Sequence, residues 1–308
     1  MRVLVTGVNG QLGHDVVKEL QTRGHTPIGT DITPEYQGMD DIHPEYVALD
    51  LTDEDAVRTV MHDVHPDALV HCAAWTAVDA AEDNQDKVFA INETGTQYLA
   101  TAARACDAVM MYISTDYVFS GDGETPWDPD DTNFAPLNVY GASKLAGENA
   151  VRRTLDKYFI VRIAWVFGKN GGNFVRTMLK VGETHNQVRV VNDQIGTPTY
   201  TEDLARLLVD MLETDKYGHY HVTNSGGYIS WYDFTKEIYK QAGLKTEVIP
   251  VTTEEYGLSK AKRPFNSRLD KSKLEDNGFT PLPQWQDAVK RYVEALGYGT
   301  DHSHKGTD

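Results

Sequence analysis

Two observations in the 308-residue sequence predict an α/β fold with a doubly wound parallel sheet. β-rich apolar runs alternate with helix-length amphipathic segments through the first half, the pattern of successive βαβ units. The first of these runs opens straight onto a loop with glycines three apart. The second half is less regular, which places a smaller, mainly helical lobe after about residue 165.

The elements follow in order. Residues 2–6 are apolar and β-rich, and 11–23 read as a helix ending near Gly24. Residues 25–31 form a second strand closed by Asp31, and Tyr46-Val47-Ala48-Leu49 a third, closed by Asp50. Pro66-Asp67 precedes a strand over 68–72. A long helix is expected over 84–105, a strand at Ala108-Val109-Met110-Met111-Tyr112-Ile113, a helix over 138–156 and a strand over 159–163. Beyond that, helices are expected near 173–185, 201–214, 231–242 and 285–296, with short strands near 188–191, 219–223 and 247–251. The resulting division is 1–165 for the first domain, with segments from about 188–222 returning to it, 166–296 for the second lobe, and a polar, disordered tail over 297–308.

The loop Thr6-Gly7-Val8-Asn9-Gly10-Gln11-Leu12-Gly13 joins the first strand to the first helix. Glycines let the backbone turn tightly and approach a ligand closely. A helix N-terminus presents free N–H groups and the positive end of its dipole to a pyrophosphate. The spacing, Gly-x-x-Gly-x-x-Gly, differs from the general dinucleotide fingerprint, but its place in the first βα unit makes the sheet Rossmann-like and the ligand a dinucleotide. Gly7, Gly10, Gln11, Leu12 and Gly13 are the expected contacts. Asp31 is placed to accept hydrogen bonds from an adenosine ribose 2′-OH and to repel a 2′-phosphate. No Lys or Arg lies between Asp31 and Gly38, so NADH is favoured over NADPH. Asp50 and Leu51 end a strand where an adenine amino group could be met; an N-cap for the next helix is the equal alternative. Ala73 and Ala74 are small where a strand ends, leaving room for ribose and phosphates.

The net charge of −17 excludes the basic surface that nonspecific nucleic-acid or anionic-membrane binding needs. Cys72 and Cys106 read as reduced core residues, no metal-type cysteine spacing is present, and no apolar stretch is long enough to span a membrane. A cytoplasmic protein is expected.

Tyr140 and Lys144, in Val139-Tyr140-Gly141-Ala142-Ser143-Lys144, lie four apart and share a helix face. A cation beside a phenol favours the phenolate and lowers its pKa, which suits proton delivery to a carbonyl oxygen. With Ser114-Thr115-Asp116-Tyr117-Val118-Phe119 upstream, and His71-Cys72-Ala73-Ala74-Trp75-Thr76-Ala77-Val78-Asp79, Ala164-Trp165-Val166-Phe167-Gly168, Asn192-Asp193-Gln194-Ile195-Gly196-Thr197-Pro198-Thr199 and Arg263-Pro264-Phe265-Asn266-Ser267-Arg268, the chain resembles the dTDP-4-dehydrorhamnose reductases of the extended short-chain dehydrogenase/reductase superfamily. The resemblance extends to about residue 296. It implies NAD(P)H-dependent reduction of the C4 keto group of dTDP-4-dehydro-L-rhamnose to dTDP-L-rhamnose. Its catalytic trio is Thr115, Tyr140 and Lys144, with Ser114 as an alternative to Thr115 and Lys144 also holding the nicotinamide ribose. Tyr117, Trp165 and Arg268 take substrate roles, and Arg263 shares the basic stretch. A noncatalytic dinucleotide-binding subunit of the same fold, and a nucleotide-sugar epimerase, are the competing readings. The resemblance leaves a homodimer open; some relatives dimerise around magnesium, but no complete ligand set is legible here and no metal is expected.

Overall fold

The computed structural model describes residues 1–39 and 42–299; the expected disordered tail lies, from residue 300 onward, outside them. Strands β1 (Arg2–Thr6), β2 (Thr26–Asp31), β3 (Glu45–Ala48), β4 (Ala68–His71), β5 (Val109–Thr115), β6 (Tyr158–Ile163) and β7 (Gly218–His221) form one sheet in the order β7-β6-β5-β4-β1-β2-β3. Every pairing in it is parallel. The predicted α/β fold is therefore the one observed, and its strand order reverses at β1, between β2 and β4. In open α/β sheets a crevice opens at such a point, outside the C-terminal strand ends.

Helices cover both faces. On one side α1 (Gln11–Thr22) lies with a later helix, Thr201–Leu212, burying Val16, Val17, Leu20, Leu204 and Leu208 against Val3, Val5 and Val161. On the other lie α2 (Glu54–Val64), α3 (Thr96–Ala105) and α4 (Val139–Thr154), whose Val57, Met61, Leu99, Ala103 and Val151 pack on Leu4, Leu69 and Ile160. Side chains alternate across a strand, which is why β1 sends Val3 and Val5 to one layer and Leu4 to the other.

The helix expected over 84–105 is broken. Gln85–Phe89 is followed by a π-helical stretch, Ala90–Gly95, before α3 begins. The wider turn brings Asn92 inward, where Oδ1 accepts from the Trp75 amide at 2.8 Å and Nδ2 donates to Ser143 Oγ at 2.9 Å. π-helical turns are rare and often sit at functional sites.

The second lobe is built on Phe174–Thr184 (α5), Trp231–Ala242 (α7, following α6 at Thr201–Leu212) and Trp285–Ala295 (α8), with a core of Phe167, Tyr200, Phe234, Trp285 and Tyr292. α7 starts in a Ser230–Asp233 capping box and ends at Gly243, whose φ of 70° is left-handed. Of the segment expected to return to the first sheet over 188–222, α6 and β7 do so. Gln187–Val191 instead pairs in parallel with Glu247–Val251, because both strands come from the second lobe and lie against α7.

Candidate active site

A cleft of about 970 Å³ opens where the strand order reverses, along the C-terminal ends of β1, β2, β4, β5 and β6. At one end is the glycine loop. Gly7 has φ 71°, and a Cβ there would fall 2.7 Å from the Ala73 amide nitrogen; a Cβ on Gly13 would fall 2.3 Å from the Gly7 carbonyl oxygen. The loop thus closes on itself and on the end of β4 only without side chains. Gly10 caps α1 without a side-chain hydrogen bond, so the first-turn N–H groups face the cleft uncapped.

Gln11, Leu12, Asp31, Asp50, Leu51, Ala73 and Ala74 line the same cleft. Asp31 Oδ2 accepts from the Asn9 amide at 3.1 Å and Oδ1 from the Ile32 amide at 2.8 Å. Asp50 Oδ1 accepts from the amide and hydroxyl of Thr52, at 2.9 and 2.7 Å, while the N-cap of α2 is Asp53. Behind Ala73 runs a buried chain. Thr96 Oγ1 donates to the Asn92 carbonyl, so it accepts from His71 Nε2 at 3.0 Å; His71 Nδ1 then accepts from Thr6 Oγ1 at 2.7 Å, and Thr6 Oγ1 accepts from the Ala73 amide at 3.1 Å. Burial pushes His71 down to about 3, so the imidazole in this chain is neutral.

At the other end Thr115, Tyr117, Tyr140 and Lys144 come together. Asn138 caps α4 by accepting from the Gly141 amide at 2.8 Å, which sets Tyr140 in the first turn. Tyr140 and Thr115 line the same end of the cleft, and the Tyr140 ring meets Tyr117 edge-on at 5.6 Å. Thr115 Oγ1 donates to Asp116 Oδ1 at 3.1 Å. Thr115 Oγ1 also accepts from the Tyr117 amide at 3.2 Å. Ser114 points the other way, as neighbours on a strand do. Its hydroxyl donates to buried Glu148 Oε1 at 2.6 Å, so the Tyr140 phenol is met by Thr115. Glu148 in turn accepts from Arg162 Nε and Nη2, both at 2.8 Å, and from Arg152 Nη1 at 2.9 Å.

The expected lowering of the phenol pKa by Lys144 is not found. Burial pushes Tyr140 up to about 12, against the lowering effect of the Thr115 hydroxyl, and the Asp116 charge adds to the rise. Lys144 Nζ donates to the Ile113 carbonyl at 2.7 Å and lies 4.2 Å from the Tyr112 ring centroid. Burial pulls Lys144 down to about 7, with Glu148 opposing. Trp165 lines the cleft with φ 52°, a left-handed conformation that is strained for a bulky side chain, and stacks on Trp231 at 3.8 Å.

Arg268 is not among the residues that line the cleft; its Nη1 donates to Asn266 Oδ1 at 3.1 Å. In the same basic stretch Arg263 holds the Asp79 carboxylate at 3.0 and 3.2 Å, and Lys260 pairs with Asp83. Sequence reasoning missed Asp116, Glu148, Trp231 and Asn170. Asp116 is 2% exposed, lines the cleft beside Thr115 and is pushed up to about 6 by burial, against hydrogen bonds from Ser267 and Thr115. Glu148 follows Lys144 by four, a spacing that could have flagged it.

Known proteins resemble the chain over nearly its whole length. The chain is 40% identical to the spore coat polysaccharide biosynthesis protein SpsK of Bacillus subtilis, over 97% of its own length and 99% of that protein. It is 35% identical to a dTDP-4-dehydrorhamnose reductase of Escherichia coli, over 96% and 98% of the two chains. The crystal structure of dTDP-4-dehydrorhamnose reductase from Bacillus anthracis in complex with NADP superposes with a TM-score of 0.87 at 40% identity, covering 95% of this chain and 99% of that one. The profile of the RmlD substrate binding domain matches residues 1–297, and the chain belongs to that family, together with the dTDP-4-dehydrorhamnose reductases.

Proposed function

We propose that this chain reduces the C4 keto group of dTDP-4-dehydro-L-rhamnose to dTDP-L-rhamnose, using NADH or NADPH. The observation that carries the reading is the juxtaposition of buried Thr115 and half-buried Tyr140 at one end of a cleft whose other end is a glycine loop. Its chemistry is that of the dTDP-4-dehydrorhamnose reductases that the chain resembles over nearly its whole length.

The residues fit a dinucleotide. Gly7, Gly10, Gly13, Gln11, Leu12 and the α1 N-terminus would hold the pyrophosphate, Asp31 a ribose hydroxyl, and Asp50, Leu51, Ala73 and Ala74 the walls around them. When bound, the reduced nicotinamide supplies a hydride to the carbonyl carbon. Tyr140 delivers the proton to the carbonyl oxygen as negative charge grows there. Its raised pKa keeps the phenol protonated at neutral pH, so the proton is in place before reaction. Thr115 donates a second hydrogen bond to the same oxygen, fixing the keto group. Lys144, buried between Ile113 and Tyr112, supplies the adjoining positive charge and a donor for the nicotinamide ribose. Tyr117 and Trp165 form the sugar-facing wall. Arg268 lies off that wall and is given no step.

Among the described residues no Lys or Arg pairs with Asp31, whose charge would repel a 2′-phosphate; this supports NADH as the preferred reductant. Cys72 and Cys106 are free thiols, in keeping with a cytoplasmic reaction. The test is absorbance at the reduced-nicotinamide band with the keto sugar and each cofactor. A reductase consumes cofactor in proportion to product, an epimerase shows no net change, and a noncatalytic subunit shows no turnover.

A further inference from the structure

The glycine loop is held from the second lobe. Asn170 lies beyond β6, 5% exposed, in the turn that leads into α5. Its Nδ2 donates to the carbonyl oxygens of Asn9 at 2.9 Å and Gly10 at 3.3 Å, and its Oδ1 accepts from the Met39 amide at 3.2 Å. Two carbonyls on one side and an N–H on the other fix the orientation of the side-chain amide. A second tie runs parallel to it: Asn173, the N-cap of α5, donates to Gln11 Oε1 at 2.9 Å. Asn170, Gly171 and Gly172 face the same cleft as Asn9, Gly10 and Gln11.

We propose that Asn170 is a positioning residue for the dinucleotide pyrophosphate, binding the glycine loop to the second lobe so that both lobes set cofactor affinity. The inference rests on the dinucleotide reading above. The physical reason is orientation. The carbonyl oxygens of Asn9 and Gly10 are the negative ends of the loop's peptide dipoles, and an anionic pyrophosphate requires them turned away while the first-turn N–H groups of α1 face it. Asn170 supplies the side-chain donor that holds the Asn9 carbonyl turned away and adds a second donor to the Gly10 carbonyl, which also accepts from the His14 amide at 3.3 Å. Gly171 and Gly172 then bring backbone without side chains to the opposite side of the same space. Because Trp231 lines the cleft from that lobe and stacks on Trp165, the tie also links cofactor occupancy to the sugar-facing wall, and such linkage is reciprocal.

The test is Asn170→Ala in the full chain, with Kd measured for NADH, NADPH and ADP-ribose by nicotinamide fluorescence and competition. ADP-ribose keeps the pyrophosphate and lacks the nicotinamide. Removing both donor contacts is expected to weaken all three about tenfold, since each neutral hydrogen bond contributes modestly and two are lost. KM for the cofactor should rise by more than kcat falls, a split that general loosening of the fold does not produce. If Asn170→Ala does not fold, Asn170→Asp keeps the volume and the acceptor for Met39, has no N–H to donate and adds a negative charge, so a weakening of at least the same size is expected. A Kd within about twofold of wild type for ADP-ribose, in whichever variant is folded, overturns the proposal, because the lost hydrogen bonds would then have no bearing on the pyrophosphate. A wild-type chain with no dinucleotide affinity would overturn the functional reading and this inference together; unchanged affinity in the variant overturns this inference alone.

Discussion

Replacing Tyr140 by phenylalanine takes one oxygen out of the cleft and leaves a ring that still meets Tyr117 edge-on at 5.6 Å. The structural cost is the loss of one half-buried hydroxyl, at most about 0.5–1.5 kcal/mol of folding stability. The catalytic cost is larger. A positioned general acid contributes roughly 10²–10⁴-fold, which at about 1.4 kcal/mol per tenfold is about 3–5 kcal/mol of barrier. The two costs are measured separately: urea unfolding gives the first, and the initial rate of nicotinamide oxidation at saturating cofactor gives the second. Cofactor Kd should be nearly unchanged, since the glycine loop is at the far end of the cleft. The pH dependence adds a further check. Burial holds the Tyr140 phenol up at about 12, so it contributes no limb near neutrality. Lys144, pulled down to about 7, loses its charge as pH rises through that value, and a neutral-pH limb belongs to it in both proteins. A folded Tyr140→Phe protein with normal cofactor affinity and a rate within about tenfold of wild type would refute the general-acid assignment.

Three further outcomes are expected. Asp31→Ala should weaken NADH by about 1.5–3 kcal/mol, the value of a hydrogen bond to a charged group, and NADPH by less, because the variant also removes repulsion of the 2′-phosphate; equal losses in a titration of both would separate Asp31 from the 2′ position. Glu148→Gln breaks a fully buried ion pair with Arg162 and should cost about 3–5 kcal/mol in urea unfolding, with an effect under about 1 kcal/mol contradicting the account. Asp116 is raised by burial to about 6 in the folded chain, above the unfolded value, so the native state binds more protons between the two and wild-type stability falls as pH rises from about 4 to about 6. Asp116→Asn should lack that contribution, worth about 3 kcal/mol at the upper end; identical stability-versus-pH slopes in the two proteins would remove the buried carboxyl from the explanation.

The layers of the fold were legible because strands such as β1, β4, β5 and β6 are short apolar runs, and the covering helices carry apolar stripes. What was not legible depends on partners distant in sequence. The π-helical turn at Ala90–Gly95 follows from Asn92 reaching Trp75 and Ser143, neither adjacent to it in the chain. Gln187–Val191 reads like any short strand, and only the second lobe's packing gives it Glu247–Val251 as a partner. In the site, the glycines, Tyr140 and Lys144 stood out by spacing, and Thr115 only through the family resemblance, with Ser114 as its alternative. The direction of the Tyr140 pKa shift did not, because it is governed by burial, and because Lys144 Nζ is turned to the Ile113 carbonyl. Glu148 carries the right spacing, yet a glutamate on a helix is ordinarily solvated, and nothing local reveals Arg162 beneath it. Asn170 meets Asn9 across 161 residues, a contact no local pattern encodes.

One stoichiometry shows whether Tyr140, beside Thr115, protonates a keto oxygen while reduced nicotinamide is consumed. Purified chain, dTDP-4-dehydro-L-rhamnose and NADH or NADPH are mixed, and loss of absorbance at the reduced-nicotinamide band is compared with dTDP-L-rhamnose formed. One cofactor oxidised per sugar reduced is expected, with the rate abolished or nearly so in Tyr140→Phe. Sugar conversion without net cofactor loss, or no conversion by a folded chain that binds the dinucleotide, would contradict it.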